Sequence, residues 1–123
     1  IIIMETKFRK LIDSLLTSTQ NCKIHWDKTS DSNCYKAQIN GNSIDIAMSS
    51  KNTAPWDFED PAKEVYSLYI YNKEAVCVEE ISARGNTLDA IELIKLHKAA
   101  RRSFLKTNET VDDVLNFLQG DQE

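Results

Sequence analysis

The sequence predicts an α+β fold: an N-terminal helix, a five-stranded antiparallel meander, and two C-terminal helices packed on one face. Three observations carry this. Apolar residues recur at helical spacing near the start and again over the last third, short alternating segments fill the middle, and Asn40-Gly41 joins two of those segments. Both residues of that dipeptide tolerate positive φ, which makes it a strong hairpin signal. Helices gathered outside an antiparallel sheet cover one of its faces. At 123 residues the chain reads as a single domain spanning 1–123. Met4-Glu5 resembles a natural start, so residues 1–4 are expected to be disordered or additional to it.

Phe8, Leu11, Ile12, Leu15 and Leu16 define a one-faced helix over 5–19, closed by the polar run Thr17 to Asn21. Residues 22–28 alternate as a strand with Cys22, Ile24 and Trp26 on one face. Residues 34–40 follow with Tyr35, Ala37 and Ile39, and 42–49 return with Ile44, Ile46 and Met48. The segment from Ser49 to Lys63 is the longest irregular stretch and holds both prolines. A strand over 64–72 places Tyr66, Leu68 and Ile70 opposite Val65, Tyr69 and Tyr71. After a turn at Asn72-Lys73-Glu74, a fifth strand over 75–82 runs through Val76 and Val78. Thr87 is the expected N-cap of a long helix ending near Lys106. A break at Asn108-Glu109-Thr110 leads to a final helix with a stripe of Val111, Val114, Leu115 and Leu118, stopped by Gly120.

Charge narrows the function classes. Fifteen Lys and Arg stand against nineteen Asp and Glu, for a net −4, the wrong sign for general nucleic-acid binding. No apolar run approaches the roughly 20 residues that span a bilayer, and a cytoplasmic location is expected. Cys22, Cys34 and Cys77 form no C-x-x-C pair, and each falls in a strand-like stretch where it would act as a small buried hydrophobe. His25 and His97, the two histidines, have no ligand partner at zinc spacing, so no metal is expected. With Gly41, Gly85 and Gly120 the only glycines, no phosphate loop or nucleophile elbow exists. No catalytic residue and no cofactor are assigned, and a non-enzymatic role is favoured.

Candidate binding residues fall in two places. His97 projects with Leu93, Ala100 and Phe104, and Arg101 lies one turn on. The pair reads either as a hydrogen-bonded core histidine with a rim arginine, or as groups facing a cleft. From Arg84 to Lys106 six basic residues meet two acidic ones, whereas Glu109 to the end holds five acidic and no basic residues. Lys95, Lys98 and Arg102 share the helix face opposite the core. That stripe is a solvated face, a site for an anion that Arg101-Arg102 could fork onto, or a surface met by the acidic tail of the same or a neighbouring chain. Trp56 and Phe58 lie in the irregular loop, where aromatics either plug a core or form a binding surface.

Lys23-Ile24-His25-Trp26, Tyr66-Ser67-Leu68-Tyr69-Ile70-Tyr71-Asn72 and Ala99-Ala100-Arg101-Arg102-Ser103, in that order between the two amphipathic ends, resemble a loose group of small bacterial and phage α+β proteins. Most of that group lack an assigned function, and the resemblance carries over no catalytic residue. Some small phage proteins of this layout sequester nucleotide signals at sites between subunits. By that analogy the expected function is capture of a small anionic ligand, phosphorylated or nucleotide-like, by Arg101, Arg102, His97, Trp56 and Phe58. The alternative is a protein-interaction or inhibitor module acting through Asp57 to Glu64 and the acidic tail. The sheet edges and mixed-aromatic strands suggest a homo-oligomer, most simply a two-fold dimer.

Overall fold

Regular apolar spacing at the start of the chain becomes helix α1, Thr6–Gln20, which buries Ile12, Leu15 and Thr19 in a computed structural model that describes residues 6–31, 33–50 and 64–120. The helix ends in a backbone cap. Asn21 N–H donates to Thr17 O at 3.0 Å and Lys23 N–H to Ser18 O at 2.8 Å, while Cys22 takes φ 60°. This cap corrects the expected strand over 22–28. Only β1, Asp27–Lys28, is extended there, because the preceding residues are used in reversing the chain. Trp26 therefore enters the core from the irregular segment just before β1 rather than from a strand face.

The sheet is a simple meander in the order β1, β2 (Cys34–Ile39), β3 (Asn42–Ser50), β4 (Glu64–Tyr71) and β5 (Cys77–Arg84), with every neighbour antiparallel. Asn40 at φ 52° and Gly41 at φ 81° form the expected hairpin turn. The register sets Tyr35 opposite Ile46, Ala37 opposite Ile44 and Ile46 opposite Leu68, so the expected apolar faces of β2, β3 and β4 coincide on one side. Asn72 Oδ1 accepts from Glu74 N and Val76 N, 3.0 Å each, and turns the chain into β5. There the expectation fails in detail. Val76 precedes the strand, Val78 is exposed, and Ile81 and Ala83 supply the core contacts. A register shift between Ile70 and Tyr71 changes the alternation that Val76 and Val78 suggested.

Helix α2, Ala90–Leu105, lies over the sheet and buries Ala90, Leu93, Leu96, His97 and Ala100. Its N-cap is Asp89, two residues beyond the expected Thr87. Thr87 instead donates its hydroxyl to Arg84 O at 2.7 Å, closing the turn before the helix. Arg9 Nη2 donates to Asp89 Oδ1 at 2.9 Å and ties the starts of α1 and α2 together. The core joins Ile12 and Leu15 of α1, Trp26, the inner residues of β2 to β4, and Leu93, Leu96 and Ala100 of α2. Lys106, in the left-handed region at φ 53°, ψ 42°, alone separates α2 from α3, Thr107–Leu118. The expected break at 108–110 is thus one turn early, at a residue whose N–H reaches Arg102 O and Ser103 O. Every described side chain of α3 is exposed, Phe117 at 81% and Leu118 at 71%. No helix among the described residues is long and apolar enough to cross a membrane.

Candidate functional site

The parallel packing of α1 and α2 is fixed at its far end by Trp26. The indole is fully buried and donates from Nε1 to Thr19 Oγ1 at 2.8 Å, and Thr19 in turn donates to Leu15 O at 2.7 Å. The Trp26 backbone N–H donates to Ser103 Oγ on α2 at 3.2 Å. The wedge holds the last turn of α1 and its cap beside the last turns of α2, leaving a groove between them on the solvent side.

That groove encloses about 640 Å³, within the ordinary range for small-molecule sites. Leu16, Ile24 and Ala99 give it apolar surface, and Thr19 and Ser103 contribute hydroxyls. Lys95, Lys98 and Arg102 line it from α2 and Lys106 from the junction that follows, so among the described residues four cations face one carboxylate, Glu109, at the lip. The spacing of Lys95, Lys98 and Arg102 by three and four residues puts them on one helix face, and Lys106, the left-handed residue after the helix, extends the row. Lys95 also lies 3.7 Å from Glu92, and His25 at the margin lies 3.5 Å from Asp27. A row of cations above apolar surface and hydroxyls suits a ligand with an anionic group and a less polar body.

The expected site residues are divided by this geometry. Arg102 lines the groove, but Arg101, next in sequence, points about 100° away around the helix and is not part of the lining. His97 lies in the core. Its Nε2 is 2.9 Å from Asn33 O, which also accepts from Met48 N at 3.0 Å. A carbonyl can only accept, so Nε2 carries the proton. The ring meets Tyr35 and Tyr66 edge-on, at centroid distances of 5.4 and 5.7 Å. Burial holds its pKa below the ordinary value, and Arg101 lowers it further against the opposing effect of the Asn33 bond. Trp56 and Phe58, with Asp57 and the rest of 51–63, lie outside the described residues.

The cysteines also divide. Cys34 is buried, and burial pushes its thiol pKa up, whereas Cys22 and Cys77 are exposed free thiols. The reading of all three as buried hydrophobes is corrected for Cys22 by the helix cap and for Cys77 by its place at the start of an edge strand. Lys106, Ser103 and Thr19 were missed as site residues. Lys106 continues the Lys95, Lys98, Arg102 spacing and could have been found from it, but no local pattern announces that α1 supplies the opposite wall. Among the described residues, no group of three or more His, Cys, Asp or Glu could hold a metal ion. The chain matches no known family model, no curated protein and no solved structure.

Proposed function

We propose that the chain is a non-enzymatic binding protein that captures a small anionic ligand, phosphorylated or nucleotide-like, in the groove between α1 and α2. The observation that supports this most is the row Lys95, Lys98, Arg102 and Lys106 along one wall, above apolar surface. In a chain of net charge −4, such local concentration of positive charge favours an anion at this place over general polyanion binding. A phosphate would lie against the cations, with the Ser103 hydroxyl nearby and the less polar part of the ligand over Leu16, Ile24 and Ala99. Withdrawal of a phosphorylated signal from solution, the role implied by the sequence resemblance, is one form of this activity, and a cytoplasmic setting accords with it.

Thermal melts with pyrophosphate, nucleoside mono- and diphosphates and an uncharged nucleoside test the reading. A ligand at a hundred times its Kd stabilises by about 2.7 kcal/mol, which for a domain of this size raises Tm by roughly 10 °C. Lys98→Ala and Arg102→Ala should abolish most of that shift, and Arg101→Ala should keep it. No shift with any anion, or an equal loss in Arg101→Ala, refutes the assignment.

A further inference from the structure

Helix α3 is amphipathic without being packed. Val111, Val114, Leu115 and Leu118 recur at i, i+3, i+4 and i+7, Phe117 lies beside them, and all five are exposed. Leu105 at the end of α2 is exposed as well, and a run of exposed apolar side chains marks an interaction surface. Such spacing is the pattern by which a helix lies in an apolar groove.

We propose that the occupant of the basic groove, in the absence of a small ligand, is α3 of a second copy of this chain, in a reciprocal two-fold dimer. Charge selects this partner. Asp112 and Asp113 flank the apolar stripe on its two sides, so either orientation of the helix sets a carboxylate against the Lys95, Lys98, Arg102 and Lys106 row. The stripe from Val111 to Leu118 is about 10 Å long and the cationic row about 16 Å, at 1.5 Å per residue. The stripe therefore fits within the groove.

The chain's own α3 cannot fill its own groove. An antiparallel helix pair needs a connection of about two to five residues, and Lys106 alone joins α2 to α3. Glu109 sits at the groove lip, so α3 departs from the end of the groove. A two-fold axis near that junction lets each copy give its helix and receive its partner's, which closes the assembly. The long sheet edge, β5, is a poorer candidate for self-association because Glu79, Glu80 and Arg84 occupy it. The dimer uses the groove of the proposed function but needs no ligand, and a small anion would compete with it.

The test is sedimentation velocity in chloride buffer without phosphate, using the full chain. The wild type should be dimeric at high micromolar concentration. Val114→Asp with Leu118→Asp should weaken association at least about 30-fold, as expected for losing central apolar contacts. Circular dichroism should show the helices retained. The decisive pair is Lys95→Glu with Lys98→Glu, and Asp112→Lys with Asp113→Lys. Each alone should be monomeric, since like charges meet at both halves of its dimer, and an equimolar mixture should form a heterodimer with both halves complementary. A monomeric wild type overturns the proposal, as does a dimer insensitive to the α3 changes or a mixture that stays monomeric. Ligand capture is judged separately by the melts with added anions, so either idea can fail alone.

Discussion

His97 gives the sharpest quantitative consequence of the fold. It is 7% exposed, donates to Asn33 O and carries a pKa held below the ordinary 6.5, chiefly by burial. The unfolded chain therefore takes up the proton before the folded chain does. Stability from this site is full above pH 6.5 and falls as pH drops toward the depressed folded value, levelling off below it. One proton limits the slope to about 1.4 kcal/mol per pH unit. With an urea m-value of about 2 kcal/mol/M, the unfolding midpoint falls by at most about 0.7 M per unit.

The perturbation is His97→Gln, whose amide N–H can replace the donation to Asn33 O but does not titrate. Loss of the ring between Tyr35 and Tyr66 should cost about 1–3 kcal/mol at neutral pH. Below pH 6.5 the variant should lose less stability than the wild type, so the two curves converge. Urea melts at closely spaced pH values measure both features, with His25→Gln at the exposed histidine as control. Parallel curves for wild type and His97→Gln would refute the argument that this buried ring drives acid sensitivity. His97→Gln should also leave anion binding intact, because the ring faces the core.

Two other predictions follow from buried polar groups. Asp45 lies on the sheet face away from α2, its Oδ1 without a partner among the described residues, and burial raises its pKa despite the attraction of Lys36. A raised carboxylate contributes its stability below the ordinary value of 3.8 and loses it as pH rises through the folded value. Asp45→Asn should thus stabilise the protein by about 1 kcal/mol at pH 7, and by less in acid. Urea melts showing the variant less stable at pH 7 contradict this. Thr19→Val preserves shape but removes the acceptor of the buried Trp26 N–H, and a cost of about 1–3 kcal/mol is expected. An unchanged midpoint would show that the indole finds another partner.

Much of the fold was legible because local and tertiary preferences agree. The Asn40-Gly41 turn, the inward faces of β2, β3 and β4, and the core stripe of α2 follow from spacing alone. The misreadings share a cause: a regular pattern crossed a point where the backbone changes course. Cys22, Ile24 and Trp26 alternate, but Cys22 ends a helix in the left-handed region. Val76 and Val78 alternate, but a turn residue and a register shift reset the face of β5. Thr87 looks like a cap, yet its hydroxyl is used by Arg84 O. Half of the groove was visible as the Lys95, Lys98, Arg102 row. The other half depends on contacts distant in sequence, Trp26 with Thr19 and Ser103, which no single-segment pattern encodes.

Those same contacts bear on how the groove would work. The wall formed by α1 is held by a buried indole and a hydroxyl chain, so it belongs to the rigid core rather than to a movable loop. A pre-formed wall lowers the ordering cost of binding, which favours capture of a ligand present at low concentration. The α3 helix has the opposite character: none of its residues from Glu109 to Leu118 is buried, and its junction rests on one non-glycine residue in the left-handed region, a conformation costing on the order of 1 kcal/mol. A fixed cationic groove beside a loosely committed acidic helix gives two candidate occupants for one set of charges. If both bind, ligand and second copy are linked by competition, and each must weaken the other by the same factor. Dimer dissociation driven by a phosphorylated ligand would then report capture directly, with a dependence on protein concentration that a monomeric binder lacks.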